Sequence, residues 1–263
     1  MKEDERDYGF LRERLKRQIT LFGLEAVEEI ARIVLTIVGC GGNGGIFALI
    51  SAYAGFYLFN LVDPDRLNLH NLNRTTYAGY KDAVQNRLKV DVLKKRLLSI
   101  DPDIKGNTFP LRIQDSRESS ALQNCDVIID ATDNITTKKY LQQYCSDNEK
   151  ILGSMGSGGY VRDGRIVYLG SQFTYYEPGG ACLFCGPLDM DEVTWFSRIS
   201  FLPPNSIIAS IAVEHLFAKF TGYDSECAEP ANFYIYDSLR HEIVKLFRIS
   251  RRDCPYCGKE GKK

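Results

Sequence analysis

Ile33-Val-Leu-Thr-Ile-Val38, running directly into Gly39-Cys-Gly41-Gly42-Asn-Gly44, decides the fold of this chain. The unbroken apolar run reads as a strand buried on both faces, as in a parallel sheet, and not as a half-exposed alternating strand. An apolar helix is predicted behind the glycines, over roughly Gly45 to Ala54. Phe56–Val62 reads as a second buried strand ending at Asp63. Glycines are needed where a strand turns sharply into a helix and its backbone approaches a ligand, and the helix N-terminus attracts phosphate. Asp63 stands at about the 20-residue spacing at which an acid accepts ribose hydroxyls. The bland alternative is a glycine turn without a ligand; strand, helix and acid together favour a bound nucleotide.

Ile33 to Val62 carries no charge, which raises a membrane span, but Gly39, Gly41, Gly42, Gly44 and Gly45 and the polar Asn43 and Asn60 interrupt it. A buried strand–loop–helix–strand accounts for it better. Downstream, a polar loop spans Asp63 to Tyr80. Helices are predicted over Val84–Ser99 and Thr136–Ser146, and strands near Ile104–Pro110, Cys125–Asp130 and Lys150–Ser154. This alternation gives an α/β fold: a Rossmann-like, doubly wound, mostly parallel sheet. Past Gly153 the pattern changes. A hairpin over Tyr160–Leu169 turns at Asp163-Gly164, a helix covers Asn205–Phe220 with Gly222 as its stop, and short strands lie at Asn232–Tyr236 and Glu242–Phe247. The organisation read here is an N-terminal helical arm (1–30), a nucleotide-binding core (31–155), and a C-terminal part of the same domain (156–263).

The 263 residues have a net charge of −1, with 44% hydrophobic and 25% charged residues. That balance suits one large domain and excludes a general attraction to nucleic acid or anionic membrane, so any anion must be held by a local site. Met1 to Arg17 is dense in charge and lacks the apolar core of a secretory signal. Of the eight cysteines, Cys182/Cys185 and Cys254/Cys257 form two Cys-x-x-Cys pairs, while Cys40, Cys125, Cys145 and Cys227 are scattered. With no signal peptide, the expectation is a reducing, cytoplasmic setting and a closed, structural four-thiolate zinc site; free thiols or a redox pair are the alternative.

Which nucleotide binds is read from Asp63-Pro-Asp65-Arg-Leu-Asn-Leu-His-Asn71-Leu-Asn-Arg74. An NAD site has no use for this arginine and these asparagines, whereas Arg74 and Lys89 at a triphosphate would neutralise charge and favour pyrophosphate leaving. Asp133, past a central strand, is placed to hold Mg²⁺ through oxygen. Singly, each would read as a solvated loop charge.

Arg17-Gln18, Gly39-x-Gly41-Gly42-x-Gly44, Asp63-x-Asp65, Asn71-Leu-Asn-Arg74, Lys89, Asp130-Ala-Thr-Asp133-Asn134 and the two cysteine pairs stand in the order seen in ThiF, MoeB and ubiquitin-activating enzymes. The chain resembles that family from about Arg12 to Gly258. The resemblance implies that the glycine loop carries ATP and Asp63 its ribose, that Asn71, Arg74 and Lys89 surround the phosphates, and that Asp133 binds Mg²⁺. It also implies that Arg17 reaches a partner subunit's site, hence a homodimer. The implied activity is Mg-ATP-dependent adenylation of the C-terminal glycine of a small ubiquitin-like or sulfur-carrier protein.

Two departures stand out. Thr75 occupies a position often held by Gln, and Gly186 to Pro204 lacks the cysteine that thioester-forming members keep. Cys227 lies among acids that disfavour a thiolate, so an external sulfur donor or another nucleophile would take the adenylate. His70, His215 and His241 receive no catalytic role, and Trp195, Phe196 and Phe201 read equally as core or as a carrier surface. The alternatives are a peptide-modifying relative, a non-catalytic scaffold subunit, which would have lost parts of the constellation, and an NAD-dependent oxidoreductase.

Overall fold

In the computed structural model, residues 13–115, 120–185, 200–223 and 231–258 are described. Two short helices, α1 (Lys16–Phe22) and α2 (Leu24–Arg32), lead into β1 (Val34–Val38), α3 (Gly42–Ala54) and β2 (Leu58–Val62). Next come α4 (Tyr80–Val84), α5 (Lys89–Ile100), β3 (Lys105–Phe109), α6 (Ser120–Gln123), β4 (Val127–Asp130) and α7 (Ile135–Asp147). The long strands β5 (Ile151–Arg162) and β6 (Arg165–Tyr176) precede α8 (Leu202–Thr221), β7 (Phe233–Asp237) and β8 (Glu242–Leu246). The strands form one sheet in the order β3-β2-β1-β4-β5-β6-β7-β8. The first five run parallel, and β5 to β8 continue antiparallel. The Rossmann-like doubly wound sheet read from the sequence is thus present, with an antiparallel extension.

Two apolar cores cover the sheet. One gathers Leu35, Ile37, Phe47, Phe59, Leu93 and Leu216; the other gathers Val38, Val62, Ile128, Leu141 and the cysteine-pair region. The two N-terminal helices belong to the first through Leu15, Val27 and Ile30. The Arg14 guanidinium fastens them further by donating to the buried Asp101 carboxylate and the Ala52 carbonyl. Across β3, β2 and β1 runs a polar ladder that starts at the exposed Asn107 and ends buried: Asn107 donates to Asn60, and Asn60 to Thr36. These residues are register partners, and a one-residue slip would leave the buried Asn60 and Thr36 unpaired. No helix among the described residues is long and apolar enough to cross a membrane.

Three expectations need correction. The helix expected over Val84–Ser99 is two helices, α4 and α5. Asn86 takes a left-handed φ of 52° between them, and Arg66 bridges to Leu88, a pairing invisible to helical periodicity. The strand at Lys150–Ser154 and the hairpin at Tyr160–Leu169 are parts of one long hairpin, β5–β6. Its glycines do not break it, because Gly153 lies against Ile129 and Phe173, where a Cβ would crowd both. Its turn is at Asp163-Gly164, both at positive φ, as a two-residue hairpin requires. Finally, α3 begins at Gly42 and not at Gly45, so Gly42 and Gly44 form its first turn.

Candidate active site

Strand order reverses between β1 and β4, and the crevice beyond the carboxyl ends of such strands is where open α/β sheets bind ligands. Val38 and Asp130, the last residues of β1 and β4, are register partners. Gly39 turns out of β1 at φ +91°, and a Cβ there would lie 2.9 Å from the Ala131 carbonyl oxygen, so the loops after both strands touch. Gly41 is the N-cap of α3 and gives no side-chain cap. The first helical bond is Gly45 N–H to the Gly41 carbonyl, leaving the earlier N–H groups without intrahelical acceptors. This is an anion-binding end on a 13-residue helix.

Gly42 is where three elements close on that end. A Cβ there would lie 2.6 Å from Asn205 Nδ2 on α8 and 3.3 Å from the Arg74 side chain. Tyr77 supports the loop by donating its hydroxyl to the Cys40 carbonyl.

Asp63 ends β2 beside this loop. One carboxylate oxygen accepts the Cys40 N–H at 2.7 Å and the other the Asp65 N–H at 2.8 Å. Burial pushes its pKa above the ordinary carboxylate value, and Lys89, 3.9 Å away, opposes that rise. Lys89 is delivered by the break between α4 and α5: its N–H donates to the Asp65 carbonyl, and its ammonium lies 2.7 Å from the Asp65 carboxylate. Arg74 is held at the loop surface by the His70 carbonyl and the Asn73 side chain, at 2.9 and 2.8 Å. Asn71 is buried, and its oxygen closes a turn by accepting the Asn68 N–H.

The glycine loop, Asp63, Asp65, Lys89 and Arg74 are therefore brought together, with Asn71 bracing the loop beneath Arg74. Asp133 is exposed, three residues beyond β4. Arg17 does not join them. It is exposed on α1, whose neighbours Leu15 and Gln18 contact Gly55 and Tyr53 at the C-terminal end of α3. The 13-residue length of α3 puts that end about 20 Å from the glycine loop.

Sequence reasoning missed a buried network under the β4 loop. Lys138 on α7 donates to Asp130 at 2.6 Å and to Ser154 at 3.1 Å, and Ser154 donates to Asp130 at 2.7 Å. Asp130 also accepts from the N–H and hydroxyl of Thr132, which fixes the start of the loop carrying Asp133. Nothing in the spacing of Asp130, Lys138 and Ser154 marks them as partners. His215 bonds Tyr234 and packs against Phe173 and Tyr175, in keeping with its packing role. Cys227, Trp195 and Phe196 lie outside the described residues, and Phe201 is half exposed.

The two cysteine pairs meet away from this crevice. The sulfurs of Cys182, Cys185, Cys254 and Cys257 all lie within 4.8 Å of one another. Close pairs are at 3.7, 3.4 and 3.2 Å, too long for a disulfide and near the ~3.8 Å edge of a tetrahedron with zinc–sulfur bonds of ~2.3 Å. The N–H groups of Phe184 and Arg251 donate to Cys182 and Cys185 sulfur. Donor type, number, separation and burial all fit zinc.

A family model described as the ThiF family matches residues 15–258. The chain is 26% identical over 257 residues to the sulfur carrier protein adenylyltransferase of Thermus thermophilus, covering 94% of this chain and 91% of that one. It is 26% identical over 250 residues to the molybdopterin-synthase adenylyltransferase of Escherichia coli, covering 93% and 96%. Among solved structures, E. coli MccB with ATP matches at a TM-score of 0.74 and 22% identity, over 93% of this chain and 73% of that one. At that identity the likeness speaks for the fold.

Proposed function

The chain belongs to the ThiF family, and on that premise we propose that it is an ATP-dependent adenylyltransferase acting on the C-terminal glycine carboxylate of a small ubiquitin-like or sulfur-carrier protein. The observation that carries this reading is the convergence at one strand-order reversal of a helix N-terminus, the buried Asp63 carboxylate, and two cations, Arg74 and Lys89; Asp63 would accept the ribose hydroxyls. In the proposed reaction a carboxylate oxygen attacks the α-phosphorus of ATP. The bond from that phosphorus to the β-phosphate oxygen breaks, pyrophosphate leaves, and the carboxylate becomes an acyl-adenylate. Arg74 and Lys89 offset the charge that develops on the leaving group, so no protein nucleophile is needed. Lys89 exchanges its Asp65 contact for phosphate, and Arg74 its loop carbonyl.

Asp133, exposed at the mouth, would hold Mg²⁺, which supplies further charge neutralisation at the phosphates. Zinc on the four cysteines would tie the 181–185 loop to the C-terminal segment. Arg17, remote from its own chain's glycine loop, suits a role at the site of a second subunit. The same first step would serve a ribosomal peptide's C-terminus. The proposal is tested by label transfer with carriers ending in Gly-Gly. Radiolabel is expected on the carrier from α-labelled ATP and not from γ-labelled ATP; γ-label transfer would mean phosphorylation instead.

The state of Asp63 sets a pH dependence. It accepts ribose hydroxyls as a carboxylate, so affinity falls as pH falls through its raised pKa. Because Lys89 holds that pKa down, Lys89→Met moves the loss to higher pH. Adenosine, which has no phosphates for Lys89 to bind, isolates the effect. By NMR titration its loss of affinity on acidification is expected to set in at a pH above the ordinary carboxylate value of about 4, and at a still higher pH in the variant. Identical curves would contradict the coupling.

A further inference from the structure

Asn205, on the first turn of α8, is fully buried at 0% exposure. Its Nδ2 donates to Ser200 Oγ at 2.9 Å, but its Oδ1 has no hydrogen-bond partner among the described residues. A buried acceptor left unmade costs about 1–3 kcal/mol, and the amide that carries this one lies against Gly42 through its Nδ2, at the open start of α3. Such an atom is satisfied only by a donor. Phosphates have none to give. The ribose hydroxyls belong with Asp63 at the end of β2, on the far side of β1 from α8, which crosses β5, β6 and β7. Arg74 holds His70 and Asn73 through one guanidinium nitrogen and in the proposed reaction turns to phosphate.

We propose that Asn205 is a substrate-positioning residue, whose side-chain oxygen accepts the N–H of the last peptide bond of the chain being adenylated. This rests on the proposed function and adds to it: the site reads the backbone of the tail as well as its carboxylate. One hydrogen bond beside the reacting carboxylate restrains its rotation and presents an oxygen to the phosphorus at the α3 N-terminus. The same contact favours a terminal residue with a free N–H over proline or any N-alkylated residue.

The test is a cycle between protein and substrate. A ubiquitin-like carrier ending in Gly-Gly is semisynthesised with either glycine or N-methylglycine last, and kcat/KM for ATP–pyrophosphate exchange is measured with wild type and Asn205→Ala. For wild type, N-methylation is expected to cost about tenfold. For Asn205→Ala the glycine carrier loses a similar factor, N-methylation adds no comparable further loss, and ATP affinity is unchanged. Tm is expected to fall in Asn205→Ala, because the Ser200 bond and the packing of a buried side chain go with the acceptor, but a purely structural role would not change the N-methyl penalty. An equal N-methyl penalty in both proteins, or weakened ATP binding in Asn205→Ala, overturns the proposal. Absence of exchange in wild type with either carrier, ATP still binding, overturns the substrate reading and this contact with it.

Discussion

Arg74→Ala is expected to lower carrier-dependent ATP–pyrophosphate exchange by about 10²–10³-fold, the effect of removing one preorganised charged donor from a developing negative charge. Its two hydrogen bonds run to the His70 carbonyl and the neighbouring Asn73, so stability should change by no more than about 0.5 kcal/mol. Circular dichroism and Tm like those of wild type, with exchange nearly lost, is the expected pair of observations; exchange within a few-fold of wild type contradicts the role.

Lys89 gives a less clean variant. It is buried beside Asp63, with Asp65 as its closer partner, and its removal leaves an uncompensated buried acid. A loss of exchange that leaves the fold intact is therefore expected of Arg74→Ala and not of Lys89→Ala. Arg74→Ala also reports on subunit sharing. In a two-fold dimer, an equal mixture with Arg17→Ala contains one intact site in each mixed dimer, so activity should recover to about a quarter of wild type. No recovery after subunit exchange contradicts a shared site.

Metal removal is expected to have the largest effect on stability. Without metal, four sulfurs within 4.8 Å of one another would have to be protonated or left as mutually repelling thiolates. With zinc they become ligands, and Cys182 and Cys254, 72 positions apart in sequence, are joined across the second core. Loss of several kcal/mol on chelation translates to about 10 °C in Tm for a chain of this size. Metal analysis should find close to one zinc per chain, and Cys254→Ser should reproduce the chelated Tm. A protein that folds without metal and keeps its Tm under chelator contradicts the site.

What the sequence made legible is what lies close together along it. The glycine loop, Asp63 and the paired cysteines advertise themselves because turn, acid and ligand spacing are short-range. Lys89 was read at the start of a helix, as found, but the break that separates it from α4 was not, because that break depends on Arg66 pairing with Leu88 across the loop. The long hairpin was split because glycines that would break an isolated strand are required where β5 packs on Ile129 and Phe173. Asn205 and the Asp130–Lys138–Ser154 network gave no signal at all, since their partners come from different elements. Arg17 came from resemblance alone, and only the fold shows how far it stands from its own glycine loop.

The most direct measurement is ATP–pyrophosphate exchange with Mg²⁺ and carriers ending in Gly-Gly, each compared with the same carrier capped as a C-terminal amide. Exchange is expected with the free carboxylate and not with the amide, because the attacking oxygen is then missing. ATP bound tightly by calorimetry, yet no exchange with any free-carboxylate carrier, would contradict adenylation of a carrier tail at this site.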